Sequence, residues 1–278
     1  MIDLYLKRRI VNAVSLTLAV LLTLFALFWL AWILWTLLRL GAPYLTWSVF
    51  TQNTPGPGDS GGLSNAILGS ALITLFGIVI GAPIGILTGT YLSEFDRASR
   101  LAHSVRFLND VLLSAPSIVL GVFIYALAVE TIGHFSGWAG SLALALIVIP
   151  IVVRTTENML LLVPDYMRES AAALGAPQWK TVVFICYRAA RGGILTGVLL
   201  AVARIAGETA PLLFTALNNQ FWSVNMGRPM ANLPVTIFNY AMGPYQDWHH
   251  LAWAGSLLIT AAILAISLVS RFLLRHKY

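Results

Sequence analysis

Val163-Pro164-Asp165-Tyr166-Met167-Arg168-Glu169-Ser170-Ala171-Ala172-Ala173-Leu174-Gly175 is a polar, helix-forming insert lying between two apolar runs long enough to cross a bilayer. Asp165 is placed to cap a helix, Glu169 and the alanines favour its interior, and Gly175 with Pro177 stops it. Gln178 to Arg188 then predicts a second short helix turning back toward the membrane. A membrane protein has little reason to keep such a helix–glycine–helix elbow in a loop unless a partner grips it. The plainer alternative is an amphipathic surface helix with no partner.

The surroundings support a polytopic, all-α membrane protein. The 278-residue chain is 58% apolar and 10% charged, whereas soluble domains carry about 25% charge. Six apolar runs, roughly 11–38, 66–92, 107–131, 138–162, 192–217 and 250–273, are each long enough for a span. An even number of spans puts both termini on one side. Lys7-Arg8-Arg9 precedes an apolar stretch too long for a signal-peptide core and without a small-residue cleavage site, which predicts a retained first span. The single Cys186 excludes an intrachain disulfide and reads as a small buried filler.

Orientation follows from Lys and Arg, which collect on the cytoplasmic side. Lys7, Arg8, Arg9, Arg97, Arg100, Arg106, Arg154, Arg168, Lys180, Arg188, Arg191, Arg271, Arg275 and Lys277 fall on one side, Arg228 on the other, and Arg39 at the border. Both termini and the Glu169 loop are thereby expected in the cytoplasm, and the net charge of +6 is a matter of topology, not of nucleic-acid binding. Residues 1–64 read as an anchor helix, with Trp29, Trp32 and Trp35 toward its outer end, followed by an irregular external loop. Residues 65–274 read as a five-helix core that carries a cytoplasmic coupling loop, 163–191.

Within that core, Gly77, Gly81, Gly85 and Gly89 form a ladder at intervals of four, interrupted by Pro83. Such a face lets a neighbouring backbone approach closely; tight packing is one reading, a surface that slides or hinges the other. Pro116, in Leu113-Ser114-Ala115-Pro116-Ser117-Ile118, predicts a kink in the third span. Asp110 and Glu130, near opposite membrane surfaces, read as local caps or loop partners.

The fifth run contains Arg204-Ile205-Ala206-Gly207-Glu208-Thr209-Ala210-Pro211. Arg204 lies about 18 Å from Gly192 along a helix, close to the middle of a ~30 Å hydrocarbon layer. A charge at that depth belongs in the protein interior or in water. Arg204 and Glu208, one turn apart, can pair. The pair reads either as self-neutralising structure or as part of an anion pathway, because a guanidinium fork matches a phosphate-like oxyanion and Glu208 tempers its grip. Ala203 with Gly207, and Ala206 with Ala210, suit close packing against another subunit.

The chain has no Gly-x-x-x-x-Gly-Lys-Ser/Thr loop and only three lysines, so it has no phosphate cradle of that kind. It shows no metal-ligand spacing either; His249-His250 reads as interfacial. No enzyme site is found.

The spacing Glu169, Ala172, Gly175 and Ile185 resembles the EAA loop of type I ABC-importer permeases, with Ser170 in place of the first alanine and Tyr187-Arg188 where Leu-Pro is expected. Ala203 through Phe214, Asn219-Gln220-Phe221-Trp222, Ala231-Asn232-Leu233-Pro234-Val235 and Leu251-Ala252-Trp253-Ala254-Gly255 are similar to the permeases of phosphate ABC importers. The similarity runs from about Gly69 onward and is weakest over the first span. It implies the MetI-like permease fold and half of a phosphate pore in a bacterial inner membrane. It further implies a second, homologous permease subunit, an ATP-binding-cassette ATPase dimer and a periplasmic phosphate-binding protein. ATP and Mg²⁺ would then be used by the ATPase and no cofactor by this chain. Arg204, Glu208 and Thr209 become the substrate-pathway residues, Asp165, Glu169, Ala172, Gly175 and Ile185 the coupling residues, and Gly77, Gly81, Pro83, Gly85, Gly89, Pro116 and Gly207 the packing and hinge positions. Two other classes stay open: an ion-coupled secondary anion transporter or channel, and a structural or sensory subunit.

Overall fold

A computed structural model describes residues 4–95, 97 and 99–275, with side chains as far as residue 268. Lys277 and the side chains of Arg271 and Arg275, counted above among the inner charges, lie outside the described residues. Among the described residues the chain is helical with no strand. Helix α1 (Leu4–Gly41) is followed by the short α2 (Trp47–Thr51) and by α3 (Ser64–Thr90), which a π turn, Tyr91–Phe95, prolongs. Next come α4 (Arg100–Ser114), α5 (Ser117–Ile124), a π turn at Tyr125–Val129, α6 (Glu130–Ile132) and α7 (Gly137–Leu161). The elbow is α8 (Asp165–Ala173) and α9 (Gln178–Thr181), and a π turn at Val182–Cys186 leads into α10 (Tyr187–Ile205). The short α11 (Ala210–Leu213), α12 (Leu233–Ala241) and α13 (Gln246–Arg275) complete the chain.

Five stretches are long and apolar enough to cross a membrane: Leu4–Tyr44, Ser64–Phe95, Gly137–Leu161, Gln178–Ile205 and Gln246–Leu268. A sixth crossing is made by α4 through α6 taken together, bent by 105°. The bend falls at Ala115 and Pro116, where proline removes an amide and holds the preceding residue extended, Ala115 having φ −67° and ψ 134°. The third span is thus two helices at a corner rather than one kinked rod.

The fifth span also differs from its expected limits. Nothing between Gln178 and Arg191 breaks a helix, so the elbow's second helix does not stop near Arg188 but runs on to Ile205, its π turn absorbing one extra residue. It ends at Ala206 and Gly207 instead of continuing to residue 217, and Pro211 starts the separate α11.

Helix α7 is the centre of the bundle, with two thirds of its most apolar window buried. The glycine ladder of α3 presses on it. A Cβ added at Gly77 would lie 3.0 Å from Leu144 Cβ, at Gly81 2.9 Å from Val148 Cβ, at Gly85 2.7 Å from Val152 Cβ, and at Gly89 2.7 Å from the Val153 carbonyl. Residue numbers rise together along both helices, so α3 and α7 run parallel, as spans separated by one crossing must. Pro83 lies within α3 on its exposed side, and the helix continues through it. On another side α10 runs antiparallel to α7, with Gly193 against Met159 and Gly197 against Thr155.

At the end of the bundle away from the elbow, residues 214–232 fold back over it. The Thr215, Met226 and Arg228 carbonyls accept the amides of Ser136, Trp138 and Gly137, which open α7 and would otherwise be unpaired. Helix α1 is exposed along nearly its whole length and meets the bundle at its last residues, where Gly41 lies against Trp253 and Leu257 of α13.

Candidate functional site

Two regions concentrate the chemistry. The first is the end of α10 inside the membrane. Continuing the antiparallel pairing up α10 sets Arg204 beside Val148, one residue from the middle of the 25-residue α7. Arg204 is therefore at mid-depth, at the last turn of a helix that stops there. Its Nη1 pairs with Glu208 Oε1; the arginine side chain is 57% exposed and the carboxylate 7%. The acid is packed into the protein while the guanidinium projects outward, its one hydrogen bond among the described residues being to the acid. Thr209 occupies the N-cap position of α11, its side chain making no capping bond. A Cβ at Gly207 would meet Ile263 at 3.9 Å, an ordinary contact, so among the described residues nothing presses closely on Gly207. Neighbouring Ala206 lines an apolar groove of about 380 Å³ between α3, α10 and α13.

Pro116 brings α5 to the same level of the bundle, since Gly121 of α5 rests on Pro211 of α11 at 2.5 Å from an added Cβ. The two interrupted helices thus lean on each other beside the Arg204–Glu208 pair.

The second region is the elbow. Pro164, not Asp165, holds the N-cap position of α8, with extended backbone and no side-chain cap bond. Asp165 is the first helical residue, where its charge suits the helix dipole, and its carboxylate takes Arg168 Nη1 at 3.2 Å and approaches Arg97 at 3.7 Å. Gly175 has φ +77°, and the Gly175 and Ala176 amides return to the Ala172 and Ala171 carbonyls at 2.9 and 3.0 Å, closing a Schellman cap that favours glycine. Tyr166, Glu169, Ala172 and Leu174 are exposed, Leu174 at 88%. Ile185 is half-buried in the π turn that carries the elbow into α10.

Sequence reasoning missed what holds the elbow. Glu94, at the elbow end of α3, has a side chain 3% exposed and receives a forked pair from Arg168, Nε to Oε2 at 2.9 Å and Nη2 to Oε1 at 2.6 Å. The same guanidinium donates to the Val163 and Leu160 carbonyls at 2.6 and 2.8 Å. Gln178 Nε2 donates to the Glu94 carbonyl at 2.6 Å, and the Cys186 thiol lies 3.8 Å from its carboxylate. The hydrogen bonds that Arg168 donates to Glu94 raise its pKa above the ordinary value, against the opposing cost of burial. One carboxylate thereby ties α8, α9 and the start of the fifth span to α3. A parallel pair, Arg106 Nε to Glu157 Oε1 at 2.7 Å, ties α4 to α7. The only signal in the sequence was an acid at the inner end of an apolar run. A cavity of about 490 Å³ opens beside the clamp, lined by Glu94, Arg97, Asp165, Arg168, Ala172 and Gln178 among others.

A membrane bundle with interrupted helices at mid-depth, a charge pair there, and a clamped elbow at one end defines a transport component that works with other subunits. Comparison with known proteins agrees. The profile of the family "Binding-protein-dependent transport system inner membrane component" matches residues 81–276. The "Phosphate transport system permease protein PstA" of Haemophilus influenzae is 61% identical over 242 residues, 87% of this chain and 86% of that one. The protein of the same name from Pasteurella multocida is 58% identical over 270 residues, 97% of this chain and 96% of that one. Among solved structures, an inward-facing form of the MetNI methionine ABC transporter aligns with a TM-score of 0.60 at 20% identity, covering 76% of this chain and 92% of that one. An amino acid ABC transporter gives 0.52 at 17%, over 76% and 89%. The chain belongs to the binding-protein-dependent inner-membrane component family and, within it, to the PstA permeases.

Proposed function

We propose that this chain is half of the pore of an ATP-driven phosphate importer. The observation that carries the reading is Arg204: a guanidinium at mid-membrane, exposed, half neutralised by a buried Glu208, where a span ends. A tetrahedral oxyanion can take the free side of that fork, and the tethered acid weakens the hold enough for release. The relatives' names supply the substrate class.

In this reading a second, homologous permease supplies the other wall of the pore, and a periplasmic phosphate-binding protein delivers the anion from outside. An ATP-binding-cassette ATPase dimer, which handles ATP and Mg²⁺, grips α8. The exposed Tyr166, Glu169, Ala172 and Leu174 are the docking face and Gly175 fixes its shape. The elbow and both termini then lie in the cytoplasm, which the positive-inside bias supports, and the membrane is a bacterial inner membrane. ATP binding moves the elbow, the clamp carries that motion to α3, and the pore opens outward.

The test is phosphate uptake by the whole importer reconstituted in vesicles. Arg204→Gln removes a charged hydrogen bond worth about 1.5–3 kcal/mol, so uptake should fall roughly ten- to a hundredfold while the complex still assembles. Uptake by this chain alone, without ATP, would instead establish a secondary carrier. Unchanged uptake in Arg204→Gln would remove the anion pathway.

A further inference from the structure

The positive-inside tally counted Arg154 as an ordinary inner-surface charge, but it lies within α7, seven residues before Leu161, or about 10 Å along the axis. It is exposed, and among the described residues it has no ion-pair or hydrogen-bond partner. Bare cations at such depth face water or a pathway, not lipid.

The neighbours of α7 fix the direction in which Arg154 points. Val148, Val152 and Thr156 meet α3, Thr155 and Met159 meet α10, and the Pro150 carbonyl and Glu157 meet α4. With 3.6 residues per turn, Arg154 points about 40° past Pro150, on the side away from α3, and Asn158 points about 40° further, still short of the α10 direction. Both therefore face the gap between α4 and α10, and both are exposed. Arg204 stands on the same stripe of α10 as Gly193 and Gly197. Its exposed side chain emerges beside α7 into that gap, because Ala201 and Ile205, on its other flank, are buried in the core with Ile73 and Ala82 of α3. The two arginines share one cleft, with Arg154 six residues of α7, about 9 Å, nearer the inner end.

We infer that Arg154 is a second station for the phosphate oxyanion, receiving it after Arg204 and before the cytoplasm. The inference rests on the reading of Arg204 as part of the pathway. Arg204 is leashed by Glu208, whereas Arg154 makes no ion pair among the described residues and the acid three residues on, Glu157, is held by Arg106, so attraction increases toward the inside and the anion is drawn inward. The same fork could also bind the phosphate of a lipid headgroup, and the experiment separates the two.

The complete importer, with partner permease, ATPase and binding protein, is reconstituted in vesicles of phosphatidylcholine alone and of phosphatidylcholine with phosphatidylglycerol. Arg154→Gln, Arg154→Met and Arg154→Lys are compared with the parent, with Arg204→Gln as reference. Inorganic phosphate uptake and binding-protein-stimulated ATP hydrolysis are read together. Gln and Met should each lower uptake at least about tenfold, the loss of one charged hydrogen bond, in both vesicle types and with hydrolysis retained; Lys should recover most of it. Parent-like uptake in Arg154→Gln, a defect confined to phosphatidylglycerol vesicles, or a loss of hydrolysis in step with uptake that Lys does not relieve would each overturn the proposal. If Arg204→Gln also imports normally, the pathway reading falls first; if only Arg154→Gln does, this inference alone is lost.

Discussion

Replacing Arg168 by alanine removes the clamp from its basic side and takes a donor from four groups: the buried Glu94 carboxylate, the Val163 and Leu160 carbonyls and the exposed Asp165 carboxylate. With the arginine side chain 16% exposed and Glu94 3%, water replaces little of the loss. Breaking a buried pair from one side costs about 3–5 kcal/mol, because the remaining charge stays buried and uncompensated. That energy is local, since what it fastens is α8 and α9 onto α3. Amide exchange across residues 165–176 should accelerate by about two to four decades, at roughly 1.4 kcal/mol per decade, while α7 keeps its protection. Hydrogen-exchange mass spectrometry of the assembled importer reads this directly. Function should follow the same break: ATP hydrolysis continues and phosphate uptake falls, because the elbow turns without carrying α3. The charge swap Glu94→Arg with Arg168→Glu should not repair the defect, since a carboxylate at 168 would face the Val163 and Leu160 carbonyls that the guanidinium now serves. The pairing raises the Arg168 pKa, so its contribution is complete below the ordinary guanidinium value and is lost only as pH rises through the higher folded one. Protection of the elbow from this source is thus constant across neutral pH. Unaltered exchange in residues 165–176 of Arg168→Ala, or full coupling of hydrolysis to uptake, would refute the clamp.

Gly175→Ala should weaken the elbow by about 1–2 kcal/mol through left-handed backbone strain alone, as no neighbour lies within 4 Å of the added carbon. Gly175→Asn should cost less, and equal exchange rates in all three proteins would contradict the Schellman cap. Gly85→Ala places a carbon 2.7 Å from Val152 Cβ and should destabilise the α3–α7 contact by about 1–3 kcal/mol of overpacking. Thermal unfolding in detergent should show part of that recovered in Gly85→Ala with Val152→Ala, and a double variant no better than the single one would show that the ladder is not close-packed.

What was legible in the sequence is what is local. Arg204 and Glu208 are four apart, and the period of a helix brings them together wherever the rest of the chain goes. The glycine ladder is likewise periodic, and its spacing announced a contact face although not the partner, α7. Gly175 revealed its turn because few other residues accept it. Hydropathy failed at the breaks. Ala210 to Phe214 is apolar enough to continue a span, so the fifth run read as one helix, whereas Gly207 and Pro211 end it at mid-depth. Pro116 announced a bend but not its angle. Asp165 was given a cap position that Pro164 holds, because proline also suits the start of a helix. The clamp could not be read at all, since Glu94 and Arg168 are 74 residues apart and neither is unusual in its own segment.

These contacts together make α3 the carrier of motion. Its inner end is bound to the elbow by Glu94, and its length is bound to α7 by four glycines that leave no room for a side chain between the backbones. Close-packed faces of this kind shift between discrete arrangements rather than deform smoothly, so α3 and α7 should move as one plate. The α4–α5 corner and the end of α10, by contrast, interrupt their helices at the depth of Arg204, where the chain can bend at Pro116 and between Ala206 and Thr209. Of the two arginines proposed to line one pathway, Arg154 is carried by the rigid plate and Arg204 by a helix that ends at such a bend. A push on the elbow can therefore change their separation without unpacking the core, and that change is what would pass an anion from the one to the other.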